Sequence, residues 1–128
     1  MDEIQGVTMR LGQMVLDACE QRQQVLANNI ANVNVPGYRP LRLDFENQLG
    51  ALQSAVTDGA DDKTLEALIG EVKPQVVPRP ADAVTGDPQQ RLDEEMTLVA
   101  QNSLQYEAVL TALAREGMLN KIAITGEM

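Results

Sequence analysis

The sequence contains no histidine and no tryptophan, and its 128 residues include one cysteine, one phenylalanine and two tyrosines. Without histidine, the chain lacks the commonest general base and the commonest side-chain metal ligand. The lone Cys19 excludes an internal disulfide and a cysteine-type metal site, and we interpret it as a small buried hydrophobe. There is also no glycine-rich phosphate loop and no nucleophile beside a base. We therefore predict that the chain is not an enzyme and uses no cofactor and no metal.

The apolar residues, 44% of the chain, are mostly aliphatic. A core of leucine, valine, isoleucine, methionine and alanine favours a helical bundle or coiled coil, in a chain long enough for one domain. The net charge is −9, and no basic cluster is present to neutralise phosphates, so we expect no nucleic-acid partner. No apolar run exceeds three residues, which predicts neither a membrane span nor a cleavable secretion signal.

A long helix is predicted over residues 2 to about 33. Its apolar residues recur at spacings of three and four, which places them on one face of a helix. They are Ile4, Val7, Leu11, Met14 and Ala18. Gly6 and Gly12 each weaken a helix by about 1 kcal/mol relative to alanine. They either permit a close helix–helix contact or are simply tolerated.

A second long helix is predicted over residues 87 to about 124. Asp87, Pro88 and Gln90 form a start signal: an acidic N-cap, proline at the first helical position and glutamine three residues after the cap. The following residues repeat at alternating spacings of four and three, a heptad pattern that indicates packing in a helix bundle or a coiled coil. This heptad stripe comprises Leu92, Met96, Val99, Ser103, Tyr106, Leu110, Leu113, Gly117, Asn120 and Ile124.

The segment between these helices predicts shorter elements. Leu41, Leu43 and Phe45 alternate with charged residues, which indicates a short extended segment. Residues 45–56 and 61–70 each carry the pattern of a short helix. Four prolines in residues 72–88 favour an extended, loop-like chain. Because glycine, aspartate and proline occur throughout, we expect this middle region to be loosely ordered in the isolated chain.

These patterns predict a mainly α fold in which the long N- and C-terminal helices pack as a coiled-coil-like hairpin. We divide the chain into an N-terminal helix (residues 1–34), a turn and loosely ordered middle region with extended segments (35–86), and a C-terminal heptad helix (87–128).

The stretch VLANNIANVNVPGYR, residues 25–39, is unusually rich in asparagine. Pro36 and Gly37 suit the central positions of a type II turn. Asn32 and Asn34 are expected to end the helix, through left-handed backbone angles or bonds to its last carbonyls. Asn28 and Asn29 lie inside the predicted helix. Because their side chains donate and accept hydrogen bonds, we interpret them as suited to contacts with several neighbours.

This stretch resembles the N-terminal signature of the flagellar rod, hook and hook-associated axial proteins. The basic Arg39 after Pro-Gly-Tyr and the Asp44–Phe45 pair are most similar to the proximal-rod type. The C-terminal helix, with Asn102 and Tyr106, resembles that family's closing helix, although Val35 stands where threonine is usual. The resemblance assigns a subunit-packing motif to Asn28, Asn29, Ile30, Asn32, Pro36, Gly37 and Tyr38. The residues expected to pack along the helices are Ile4, Val7, Leu11, Met14, Leu92, Met96, Val99, Tyr106, Leu110 and Leu113.

The resemblance implies a structural subunit of the proximal rod of the bacterial flagellar basal body, self-assembling in a helical tubular array that transmits torque. Implied partners are copies of itself, other rod subunits, the rod-base adaptor and the membrane-ring proteins. Export through the flagellar type III apparatus without a cleaved signal implies a location in the periplasmic rod. The residues also allow a different class of protein, a cytosolic helical adaptor or flagellar export chaperone, which we keep as the alternative.

Overall fold

The computed structural model describes the backbone of residues 2–84 and 86–125 and the side chains of residues 6–82, 84 and 86–117. Two long helices flank two short helices and a small sheet, which confirms the predicted fold class. The elements are α1 (Asp2–Ala31), β1 (Leu41–Asp44), α2 (Gly50–Thr57), α3 (Asp62–Glu71), β2 (Gln75–Pro78) and α4 (Pro88–Thr125). A 3₁₀ turn, Glu46–Leu49, precedes α2, and another, Ala81–Ala83, follows β2.

The helices α1 and α4 lie side by side and run antiparallel. At a rise of about 1.5 Å per residue, α1 is about 45 Å long and α4 about 57 Å. Three pairs fix the register along the contact: Asn29 with Glu95, Cys19 with Asn102, and Gly12 with Leu113. The chain thus forms the helical hairpin expected from its two apolar stripes, with the middle region packed on α1.

The first apolar core lies between α1 and the pair α2–α3. Val7 of α1 packs with Leu52 of α2 and Ile69 of α3, all three buried. Leu11 and Met14 of α1 pack against the same cluster. The apolar stripe of α1 therefore packs mainly on the middle region and not on the heptad stripe of α4. The side chain of Ile4, which was also predicted to pack along α1, lies outside the described residues.

A second core joins α1 to the sheet. Phe45 and Leu43 are almost fully buried against Ala18. Complete burial of a side chain such as Phe45 contributes about 2–3 kcal/mol of stability. The single phenylalanine therefore anchors the middle region to α1.

The sheet consists of β1 and β2, which pair antiparallel with Leu41 opposite Pro78 and Asp44 opposite Gln75. The strand β1 confirms the extended segment predicted from alternating apolar and charged residues. The helices α2 and α3 confirm the two short helices predicted beside it. The proline-rich stretch supplies β2, an edge strand in which Pro78 is tolerated because a two-stranded sheet leaves ladder positions open.

The starts of α3 and α4 are capped by side chains. Asp61 Oδ1 accepts a hydrogen bond from the Thr64 backbone N–H at 2.8 Å. At α4, Asp87 Oδ1 accepts from the Gln90 N–H at 2.8 Å, and Gln90 Oε1 accepts from the Asp87 N–H at 3.1 Å. The start signal predicted at residues 87–90 is thus confirmed as a reciprocal capping box.

Half of the predicted heptad stripe lies on the more buried face of α4, where Leu92, Val99, Tyr106 and Leu113 are half-buried. At the positions between them, the buried residue is displaced by one from the stripe. Glu95 and Asn102 are buried, whereas Met96 and Leu110 are 53% and 49% exposed. Leu113 belongs to the stripe and does contact α1, at Gly12. The displacement arises because polar side chains occupy buried positions of α4, which a purely apolar pattern omits. Whether the exposed part of the stripe packs between subunits stays a prediction.

Candidate functional site

Asn29 lies where the last turn of α1 meets β1, and it binds the strand through its side-chain amide. Its Nδ2 donates to the Leu41 carbonyl at 2.8 Å, and its Oδ1 accepts from the Leu41 N–H at 2.9 Å. The same Nδ2 also donates to Glu95 Oε2 on α4 at 3.2 Å. One buried amide therefore ties α1, β1 and α4 together, a role that the sequence did not predict.

Tyr38 and Asn28 complete the contacts at this helix end. The Tyr38 hydroxyl donates to Asn29 Oδ1 at 2.8 Å and accepts from Asn28 Nδ2 at 2.9 Å. Asn32 Nδ2 donates to the Asn28 carbonyl at 2.8 Å. The four polar residues predicted from the family motif are thus brought together around the end of α1.

The turn that follows α1 has the predicted Pro-Gly geometry. Tyr38 N–H donates to the Val35 carbonyl at 3.2 Å, and Gly37 has φ 77°. A positive φ at this position favours glycine, since a Cβ would be strained there. Pro36 and Gly37 are exposed and Ile30 is half-buried. These three motif residues shape or flank the turn and form no part of the buried polar contacts.

The expectation that Asn32 or Asn34 adopts left-handed backbone angles is wrong. Among the residues that the structure describes, positive φ occurs only at glycines. The helix instead ends through shared backbone bonds, in which the Asn32 N–H donates to the carbonyls of Asn28 and Asn29. The Asn32 side chain does bond a carbonyl of the last turn, as the second half of the expectation stated.

A buried ion pair extends the contacts across the sheet to α4. Arg79 follows β2 and binds Glu95 through its two terminal guanidinium nitrogens, Nη1 and Nη2. Nη2 lies 3.0 Å from Oε2. The side chains are 13% and 3% exposed. Because both charges are removed from water, loss of either partner leaves the other unpaired at high cost. We call the whole set the α1-end network: Asn28, Asn29, Asn32, Tyr38, Leu41, Arg79 and Glu95.

Arg79 and Glu95 were missed by sequence reasoning. Arg79 stands between two prolines in a stretch that predicted only an extended loop. Glu95 is one of several acids near the start of α4, where an acidic side chain is favoured by the helix dipole whether or not it is buried. One signal in the sequence could have indicated its burial: Glu95 directly precedes Met96, a residue of the heptad stripe, and therefore lies at the edge of the predicted packing face. Only the fold shows that Glu95, and not the neighbouring Asp93 or Glu94, is buried.

The seam between α1 and α4 contains a second buried asparagine, Asn102. Its Nδ2 donates to the Cys19 carbonyl at 2.8 Å and to Gln23 Oε1 at 3.3 Å, while its Oδ1 accepts no hydrogen bond within the described structure. Cys19 is 1% exposed, which confirms its predicted burial, and that burial raises the pKa of its thiol. Cys19 is therefore a packing residue with a poorly nucleophilic sulfur.

Gly12 allows the helices to approach closely near the other end of the seam. A Cβ placed on Gly12 would lie 2.4 Å from a methyl carbon of Leu113. At Gly6, none of the described residues lies within 4 Å of such an atom. The close-contact explanation therefore holds for Gly12, whereas the described part of the chain places no neighbour at Gly6.

The chemistry of these sites is suited to holding elements together. The structure brings together no group of three or more potential metal ligands among the described cysteine, aspartate and glutamate residues. Within the same part of the chain, no helix has the length and apolar character needed to cross a membrane. The α1-end network instead consists of amide, phenol and ion-pair bonds that fix the mutual positions of four elements.

Comparison with known proteins indicates the class of protein to which this chain is similar. Residues 12–39, which contain the asparagine-rich stretch and the Pro-Gly turn, match the family model described as Flagella basal body rod protein. The matched segment thus includes the α1 half of the network and the turn after it.

Whole-chain relatives define the family further. The flagellar basal body rod protein FlgB of Escherichia coli (strain K12) is 34% identical, covering 88% of this chain and 90% of that protein. FlgB of Salmonella typhimurium is 33% identical with the same coverage. FlgB of Bacillus subtilis (strain 168) is 25% identical over 87% of this chain and 88% of its own length. The chain belongs to the FlgB family of flagellar basal body rod proteins.

Proposed function

We propose that this chain is a structural subunit of the proximal rod of the flagellar basal body. The observation that carries the proposal is the 34% identity with a flagellar basal body rod protein along nearly the full length of both chains. In this role the subunit assembles with copies of itself and with other rod subunits in a helical tube that transmits torque. Its chemistry is that of a scaffold, with no catalytic step.

Features of the fold support an assembling subunit. Leu104, Met96 and Leu110 of α4 are 68%, 53% and 49% exposed. Large apolar side chains that stay exposed along one helix are typical of a surface that another protein covers. The rigid α1–α4 hairpin, fixed by Asn29 and Gly12, offers neighbouring subunits a constant shape.

We further propose the partners and the route that this role requires. At the base of the rod the subunit contacts the rod-base adaptor and the membrane-ring proteins. It reaches the periplasmic rod through the flagellar type III export apparatus and keeps its N-terminal helix. The motif residues Asn28, Asn32 and Pro36, which line the outer side of the helix end or its turn, contact these neighbours.

Deletion of the gene in its host tests the proposal. We expect non-motile cells whose isolated basal bodies, viewed by electron microscopy, contain membrane rings but no rod. Re-expression of the intact chain restores rods and swimming. Complete rods in swimming deletion cells would contradict the proposal and favour the helical adaptor or chaperone. Such a protein would be a stable helical dimer in dilute solution, which circular dichroism and size-exclusion chromatography detect.

A further inference from the structure

A groove of about 400 Å³ lies between α1, the sheet and α4, beside the α1-end network. Val25, Leu26 and Leu98 give it an apolar lining. Three of the ten basic residues of this acidic chain also line it. These are Arg22, Arg42 and Arg79, and Glu46 is the carboxylate among the lining residues. Its chemistry therefore differs from the predominantly acidic surface expected of a chain with net charge −9.

The three arginines differ in how far their charges are compensated. Arg79 is neutralised by the buried Glu95, and Arg22 is paired with Glu46 at the groove edge. Arg42 is 42% exposed, and its nearest carboxylate oxygen, on Asp44, is 3.8 Å away. An exposed pair at that distance is weak. Arg42 is thus the cation most able to bind an added carboxylate.

Asn102 supplies a second feature of the groove. It is 5% exposed, it lines the groove, and its Oδ1 has no hydrogen-bond partner in the described structure. A buried carbonyl oxygen without a donor costs free energy, and a ligand with an N–H or O–H group relieves that cost. The groove therefore presents an apolar lining, one acceptor and one poorly compensated cation.

The turn between α2 and α3 carries complementary groups. Val56 is an exposed apolar side chain, 55% accessible. Thr57 beside it is exposed and offers a hydroxyl donor, and Asp58 is exposed and offers a carboxylate. Gly59, at φ 75°, reverses the chain at this point. Three consecutive residues at the end of α2 thus match the groove: Val56 its apolar lining, Thr57 the acceptor and Asp58 the cation.

We propose that the groove receives the Val56–Asp58 turn of a second copy of this chain, with Asp58 binding Arg42 and Thr57 donating to Asn102. The proposal rests on the proposed function, because a rod subunit meets copies of itself. It goes beyond that function in assigning the two surfaces that meet.

The contact must form between two copies. The α2–α3 pair packs on Val7, Leu11 and Met14, whereas the groove begins at Arg22 of the same helix. Eight residues of helix separate Met14 from Arg22, about 12 Å at 1.5 Å per residue. Groove and turn are therefore different surfaces of one molecule. Contacts between different surfaces are heterologous, and they propagate from copy to copy when the rotation between copies does not close a ring.

Cross-linking of the purified full chain tests the pairing. The cysteines are placed beside the contact so that Arg42 and Asp58 stay in place: Gln101 is exposed and lines the groove, and Gln53 is exposed one helical turn before Thr57. The variant Gln101→Cys/Gln53→Cys, treated with a short bis-maleimide at about 1 mM protein, should give a ladder of oligomers. A mixture of the two single variants should stop at dimers, because each copy then carries one reactive surface. The matched control is Gln101→Cys/Asp82→Cys, since Asp82 is also exposed but lies outside the turn. It should stay monomeric. Cys19 remains in all variants because it is buried.

Three results would overturn the pairing: no ladder from the Gln101→Cys/Gln53→Cys variant, an equal ladder from the control, or dimers from either single variant alone. The last result would indicate a symmetric contact in which the same surface meets itself. Occupation of the groove by a different protein gives the first result, since the purified chain then has no partner.

Charge reversal in the host provides an independent readout. Arg42→Asp and Asp58→Arg should each reduce the number of rods per cell about tenfold, and the combined variant should recover most of that loss. Unchanged rod numbers in both single variants would refute the contact while the deletion phenotype still supports a rod subunit. Complete rods in the deletion strain would instead refute the proposed function, so the two failures are distinguishable.

Discussion

The phenol hydroxyl of Tyr38 lies 2.8 Å from Oδ1 of Asn29 and donates a hydrogen bond to it. Nine residues separate the two along the chain, with the Pro-Gly turn between them. The turn therefore places Tyr38 back over the helix end, where it covers the amide that binds β1. Helix end, turn and strand form one unit because each supplies a partner to the same asparagine.

Asn29→Ala should lower the free energy of unfolding by about 3 kcal/mol, because both backbone groups of Leu41 and one oxygen of Glu95 lose a buried partner. Urea unfolding followed by circular dichroism measures the change. The matched control is Asn28→Ala, which removes only exposed hydrogen bonds, one to Tyr38 and a long one from Asn32, and should cost less than about 1 kcal/mol. Equal losses in the two variants would show that Asn29 is not the centre of the network.

Arg79→Met should destabilise the chain by about 3–5 kcal/mol, because it leaves the Glu95 carboxylate buried without its cation. The double variant Arg79→Met/Glu95→Met should recover most of this loss, since two apolar side chains of similar length leave no unpaired charge. A double-mutant cycle of unfolding free energies gives the coupling. Additive losses would contradict a buried, mutually dependent pair.

Gly12→Ala and Gly6→Ala should differ in their effect on stability. Both gain helix propensity of about 1 kcal/mol, but a Cβ at residue 12 overlaps Leu113, and overpacking of this kind costs about 1–3 kcal/mol. We expect Gly6→Ala to raise the thermal midpoint and Gly12→Ala to leave it unchanged or lower it. Shortening the facing side chain, in Gly12→Ala/Leu113→Ala, should remove the overlap. A Gly12→Ala variant as stable as Gly6→Ala would refute the close contact.

Asp61 should make the stability of α3 depend on pH. Hydrogen bonds from the side chain and the backbone of Thr64 hold the pKa of the Asp61 carboxyl below its ordinary value of 3.8. A depressed folded-state pKa stabilises the fold above the unfolded pKa, and this contribution is lost as the pH falls through the folded pKa. Asp61→Asn keeps a capping side chain that does not titrate. Thermal midpoints of the two chains should therefore agree near neutral pH and diverge below about pH 4, where only the native chain loses the contribution of the cap and its midpoint falls below that of Asp61→Asn.

The long helices, the cap at the start of α4 and the first strand could be predicted from the sequence because local signals fix them. Asp87 to Gln90 carry a capping box, and Leu41 to Phe45 alternate strictly between apolar and polar side chains. Such signals need only residues that are close in the sequence. They indicate element type well and say little about which faces meet.

The packing faces and the network could not be predicted in the same way. Glu95 and Asn102 are buried on α4 because residues far away in the sequence, Arg79, Asn29 and Cys19, supply their partners. An apolar stripe reveals only apolar contacts, so it selected Met96 in place of its neighbour Glu95. The family motif includes Asn29 and Tyr38 as subunit-packing residues, which stays a prediction, and the bonds they make inside the chain follow from the fold alone.

The two bonds between Asn29 and Leu41 have a mechanical consequence. A single hydrogen bond acts as a pivot about which a strand is able to swivel against the helix. The Asn29 amide instead binds both the N–H and the carbonyl of one residue, which fixes an angle as well as a distance. When a torque acts on α1, these two hydrogen bonds therefore transmit it to β1 without rotation of the strand against the helix. The stiffness of this connection depends on one side chain and on the backbone, so it is insensitive to the identity of the side chain at residue 41.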